Sequence, residues 1–159
     1  MYETILAPVD GSAPSDAAAD HAIDLASDAG ATLSVVSVVD VGTLSAAKLD
    51  TEALLDGYEA EAERHVEAVA DRAREAGVPV ETAVLRGTPY RSILDRIDAV
   101  DADLVVLGTR GRRGLARSLL GSTTDRVLRL SSVPVLVLSG EELDYRKPET
   151  DDGADPADA

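Results

Sequence analysis

The sequence predicts a single α/β domain built on a parallel sheet, and three observations predict it. Short β-branched and aliphatic runs alternate with longer helical patterns, the order expected of strands joined by crossover helices. The run at residues 32–39 is apolar in the style of a strand buried on both faces. At 159 residues the chain has the length of one domain and can bury a core without crosslinks.

The elements follow in order. Residues 4–9, Thr-Ile-Leu-Ala-Pro-Val, read as the first strand and end at Asp10-Gly11-Ser12. An alanine-rich helix is expected over 14–29, stopped by Gly30 as its C′ residue. After the second strand, a loop over 41–50 leads into a long amphipathic helix. There Leu55, Tyr58, Ala62, Val66, Val69, Ala73 and Ala76 recur at steps of three and four. Gly77 closes that helix and Pro79 prevents its resumption. The third strand is placed at 80–85. Arg86-Gly87-Thr88-Pro89 then reads as turn, N-cap and N1 proline of a helix facing inward with Ile93, Leu94, Ile97 and Val100. A fourth strand at 103–107 stops at Gly108, a fourth helix starts near Ser122, and residues 133–138 form the last strand. Pro134 has no N–H, which suits a strand start or an edge. Beyond Ser139 the apolar pattern is lost. Eight acids there face only Arg146 and Lys147, so 140–159 reads as an acidic, disordered tail.

Composition narrows the function. The absence of cysteine excludes disulfides, thiolate metal sites and cysteine nucleophiles. The core is aliphatic, since the chain has neither Phe nor Trp. Thirty acids against fifteen bases give a net charge of −15, which argues against nucleic acid and anionic membrane as partners. No basic leader opens the sequence and no apolar run approaches the roughly 20 residues of a membrane span, so a cytoplasmic protein is expected. Abundant acid with only two lysines suits a very salty cytoplasm, where dense ions screen self-repulsion. Ordinary acidity from a GC-rich genome with a charged tail is the plainer alternative.

Ligands of open α/β sheets bind outside the carboxyl ends of the strands. Two segments stand at such ends: 8–12 after the first strand and 108–123 after the fourth. In the second, Gly108, Gly111, Gly114 and Gly121 free the backbone to turn and to bring N–H groups close to a ligand. Gly121-Ser122-Thr123 meets a helix start, where unpaired N–H groups and the positive dipole end attract anions. Arg110, Arg112, Arg113 and Arg117 lie between the glycines, each a forked donor for phosphate oxygens. The plainer alternative has the glycines turning the chain, Ser122 capping a helix and the arginines pairing with surface acids. The segment is neither a Walker A loop nor the dinucleotide fingerprint, because no Gly-Lys-Ser/Thr ends it and it follows strand four.

Gly-x-x-Gly, nine residues and Gly-Ser/Thr form the ATP-binding motif of the universal stress protein family, which Gly108, Gly111, Gly121 and Ser122 match. The opening Ile5-Leu6-Ala7-Pro8-Val9-Asp10-Gly11-Ser12 also resembles that family, as do Gly87-Thr88-Pro89 and the last strand. The resemblance covers residues 1–139. It implies a three-layer sandwich, adenine nucleotide α-hydrolase-like, with a five-stranded parallel sheet of order 3-2-1-4-5 and four helices. It also implies a homodimer paired through the last strand, from Pro134 at its start to Leu138 at its end. ATP would lie between strands one and four, with AMP or ADP as alternatives and magnesium accompanying the triphosphate. By this resemblance Asp10 would touch the adenosine, walled by Pro8 and Val9, and Val38 and Val39 would pack near adenine. Gly108, Thr109, Gly111, Gly121, Ser122 and Thr123 would hold ribose and phosphates, with Arg110, Arg112 and Arg113 added on local charge.

Asp10 has a second reading as part of an Asp-Gly-Ser turn at the start of the first helix. His21 and His65 lie in helical patterns without partners at ligand spacing and read as boundary residues. Hydrolysis needs an oriented water, and Asp10, Asp40 and Asp125, the nearby acids, carry no motif for that role. A stress-response switch that binds ATP with little turnover is therefore expected. A weak ATPase or phosphotransferase and a nucleotide-free dimeric interaction protein are the alternatives.

Overall fold

In the computed structural model, residues 1–109 and 120–138 are described. Five parallel strands form one sheet of order 3-2-1-4-5: β1 (Thr4–Pro8), β2 (Thr32–Asp40), β3 (Val80–Gly87), β4 (Leu104–Gly108) and β5 (Val135–Leu138). Helices cover both faces, so the expected three-layer architecture stands. Among the described residues there are five helices and not four: α1 (Ala13–Ala29), α2 (Val41–Ala46), α3 (Glu52–Glu75), α4 (Pro89–Val100) and α5 (Ser122–Leu130). The additional one, α2, falls in the segment read as a loop. It buries no residue, so it has no apolar stripe to reveal it, and it starts because Asp40 accepts from the Thr43 N–H.

The strands alternate between two cores, as a period of two requires. Ile5, Ala7, Leu33, Val35, Leu104 and Val106 meet α1 and α3. Leu6, Val36, Val105 and Leu107 meet Ile93 and Ile97 of α4 and Val127 of α5. Alanines on the buried face of α1 let that helix lie close to the sheet, which is how a core without Phe or Trp fills its volume.

Several boundaries differ from expectation for local reasons. β3 continues through Arg86 and Gly87 because they pair with Val39 and Asp40, so Arg86 is not in a turn. Its guanidinium instead binds Glu52, Asp56 and Glu59 of α3, fastening an edge strand to the helix that covers it. β5 starts at Val135, after the proline, with the Pro134 carbonyl accepting from Val105 N–H. Ala76 lies beyond the end of α3 and is exposed. Thr88 occupies the N-cap position of α4 without a capping hydrogen bond from its side chain. No described helix is long and apolar enough to cross a membrane. The tail proposed for 140–159 lies outside the described residues.

Candidate functional site: a cleft where the sheet divides

β1 lies at the centre of the sheet, between β2 and β4. The chain leaves β1 for α1 on one face, and the segment after β4 leads to α5 on the other. Connections that diverge from adjacent strands leave a crevice at their carboxyl ends. β2 deepens it. Pro8, the last residue of β1, pairs with Val36, so β2 runs four residues further and stands over the crevice as a wall.

The resulting cavity has a volume of about 670 Å³, within the range of small-molecule sites. Pro8, Val9, Asp10, Val38, Val39, Gly108, Gly121, Ser122 and Thr123 all line it, so residues separated by more than a hundred positions meet there. Thr109 is the exception among the described candidates. Its N–H donates to the Leu138 carbonyl (3.1 Å), its carbonyl accepts from Gly121 N–H (2.7 Å), and it is not part of the lining. Arg110, Gly111, Arg112 and Arg113 lie outside the described residues.

The glycines do different work from one another. Gly121 precedes α5 with φ −62° and ψ 153°, a conformation open to any residue, and its N–H is already committed to Thr109. Any further backbone N–H groups open to a ligand in this turn are therefore those after it. In the first turn of α5, Asp125 N–H is the first to bond back, to the Gly121 carbonyl. Ser122, Thr123 and Thr124 precede it, and a helix offers their N–H groups no internal partner. Among the described residues no cap side chain takes them. Buried Thr124 ties the helix start to β4 by donating its hydroxyl to the Gly108 carbonyl (2.8 Å). Gly108 itself is required by packing: a Cβ there would come within 2.8 Å of the Pro14 carbonyl oxygen of α1.

Asp10 is fixed by the turn it opens. Its Oδ1 accepts from Ser12 N–H (2.9 Å), and its own N–H donates to the buried Ser15 hydroxyl (3.0 Å). Ser12 caps α1 by accepting from Ser15 N–H, so the capping role belongs to Ser12 and not to Asp10. Between them Gly11 has φ +80°, and a Cβ there would overlap the ring of His65.

That contact brings in residues the sequence did not flag. His65 and Glu61, one turn apart on α3, line the cavity and stand 3.8 Å from each other. Tyr58 and Ala62 of α3 and Leu44 of α2 form an apolar wall continuous with Val39, while Val38 lines the cavity from the face packed on α4 and α5. His65 is therefore a lining residue and not merely a boundary one. Spacing alone could have raised it: His65 continues the inward series Tyr58, Ala62 and Val66. Asp40 borders the cavity with both carboxylate oxygens accepting from Thr43, and Asp125 pairs with Arg129 away from it.

Residues 1–139 match the family model described as the universal stress protein family. This chain belongs to that family. It is 36% identical over 140 residues to the universal stress protein MJ0531 of Methanocaldococcus jannaschii, covering 87% of this chain and 82% of that one. The solved structure of the hypothetical protein MJ0577 superposes with a TM-score of 0.81 at 25% identity, over 89% of this chain and 99% of that one. A universal stress protein solved in complex with cAMP superposes with a TM-score of 0.63 at 29% identity, over 87% and 97% of the two chains.

Proposed function

We propose that this universal stress protein binds an adenine nucleotide in the cleft, ATP in preference to AMP or ADP, and acts as a nucleotide-dependent switch in the stress response. One observation carries the reading: Ser122, Thr123 and Thr124, in the helix turn whose N–H groups have no internal partner, line a cavity whose far wall is apolar. Anions belong at that turn and a flat heterocycle at that wall. The family relative solved with cAMP supports an adenine nucleotide as the ligand class. Pro8, Val9 and Asp10 border the nucleoside, Val38 and Val39 pack on the base, and Gly121, Ser122 and Thr123 lead to the phosphates, joined by Gly111, Arg110, Arg112 and Arg113.

Magnesium would arrive with the triphosphate. Among the described residues no three His, Asp or Glu side chains are grouped to hold a metal. The protein is proposed to pair with a second copy through β5, whose half-buried Val135, Leu136, Val137 and Leu138 lie at the edge of the sheet.

Slow ATP hydrolysis is the second reading, favoured by Glu61 and His65 in the lining. Mass spectrometry of nucleotide released from the purified protein tests the first reading. Incubation with ATP and Mg²⁺ in molar KCl tests the second. A bound adenine nucleotide with fewer than one turnover per protein is the expected result. Sustained multiple turnovers establish the ATPase, and an empty protein that calorimetry shows to ignore ATP defeats both.

A further inference from the structure

We infer that a side cavity next to the start of α5 receives the terminal phosphate of a nucleoside polyphosphate, and that Arg126 is the residue distinguishing a triphosphate from a monophosphate. The inference rests on the nucleotide reading above and adds to it the part of the ligand that sets specificity.

The side cavity, about 150 Å³, shares Asp40, Pro89, Ser122 and Thr123 with the main one, so the two are continuous around the first turn of α5. Its remaining lining is Thr88, Tyr90 and Arg126. A water occupies about 30 Å³ in the liquid, so this space has room for a phosphoryl group. Arg126 follows Thr123 by three residues and Ser122 by four, which places all three on one face of the helix.

The guanidinium of Arg126 lies 4.8 Å from the centroid of the Tyr90 ring. Tyr90 is held in turn by Arg91, whose Nε donates to its hydroxyl (2.8 Å). Contact with an aromatic face holds a guanidinium in place, and Arg126 also interacts with the Tyr90 hydroxyl, so the N–H groups it does not use there are left for an anion. Among the described residues Arg126, like Arg64 and Arg91, has no carboxylate within ion-pair distance, whereas Arg72, Arg74, Arg86, Arg96 and Arg129 each have one; of the three, only Arg126 lines the cavities. In a chain with thirty acids, Arg126, exposed but held against a ring beside the first turn of α5, is placed for an exogenous anion. Thr88 adds a hydroxyl that does not cap α4. Asp40, the one acid in this lining, has its two oxygens occupied by Thr43 N–H (3.1 Å) and Thr43 Oγ1 (2.8 Å).

Titration calorimetry of the full chain with ATP and with AMP tests this, using the natural protein, Arg126→Gln and Arg129→Gln. Arg129 has the same charge but pairs with Asp125 outside both cavities, so its variant controls for net charge. The expected result is an ATP affinity lowered about tenfold by Arg126→Gln, the scale of one lost charge-assisted hydrogen bond, with AMP affinity changed less than about twofold. Arg129→Gln leaves both alone. Tyr90→Ala, which removes the ring beneath the guanidinium, lowers ATP affinity selectively by a smaller factor and stands in should Arg126→Gln lose its fold. Equal loss for ATP and AMP, or no loss for ATP, overturns the role of Arg126. A natural protein that binds neither nucleotide overturns the nucleotide reading, and this inference with it.

Discussion

The two ends of the cleft are made of different material. At the α5 end the donors are backbone N–H groups, fixed by a helix start that Thr124 ties to β4. At the other end there is mostly shape: the overhang of β2, the short helix α2 and one face of α3, contributing Val38, Val39, Leu44, Tyr58 and Ala62. Backbone donors are insensitive to side chains unless something blocks them, so that end tolerates change in most residues and fails at a few. The apolar end is the sum of several side chains, each modest. The first end should read the number of phosphates and the second the nucleoside, and variants can separate them.

The largest expected effect concerns stability. Gly108→Val drives a branched side chain into the backbone of Pro14, and α1 has to shift. A cost of about 3 kcal/mol is expected, lowering the melting temperature by roughly 6–12 °C. A melting curve like that of the natural protein would contradict the packing role given to this glycine. Gly121→Val differs in kind. Its backbone conformation is open to any residue, so the fold should survive at a cost of about 1 kcal/mol. The side chain crowds the mouth of the α5 donors, and affinity for ATP should fall at least tenfold, about 1.4 kcal/mol or more. Calorimetry showing unchanged affinity would remove the turn from the site.

At the opposite end, Tyr58→Ala takes away apolar area without touching a phosphate donor. It should weaken ATP and AMP by the same factor, about tenfold. A change in the ratio of the two affinities would break the division of labour between the ends. The smallest effect is at Glu59, beside that wall. Its hydrogen bond with Arg86 holds the Glu59 carboxyl below the usual carboxylate range. A depressed folded-state pKa stabilises above the unfolded value, and that increment is lost as pH falls through the folded one. Glu59→Gln should therefore be slightly less stable than the natural protein near neutrality, with the difference vanishing in acid. Denaturant melts across that range check it.

The same contrast explains what could be read from the sequence. Strand order came only with the family resemblance, whereas the two glycine-bearing turns and the hydroxyls of Ser122 and Thr123 were legible because backbone sites select small residues at fixed spacings. Val38 and Val39 were legible as the end of a strand. Spacing marks Tyr58 and His65 as inward-facing, but nothing local tells a helix residue that faces a cleft from one that faces the core, and Glu61 has no such mark. Helix α2 is hard to read because it is six residues long and fully buries none of them, and its start rests on the single cap from Asp40. The committed N–H of Gly121 was also out of reach, since it depends on Thr109 lying across a segment of eleven residues.

The central claim is that phosphate oxygens meet the first turn of α5 while the base meets the end of β2. Amide nuclear magnetic resonance of the labelled protein, titrated with ATP, observes both at once. The account predicts that the amides of Ser122, Thr123 and Thr124 move most, followed by Val38 and Val39, with the α5 amides shifting less for AMP. Saturable shifts that leave those three amides in place, or none at all, would contradict it.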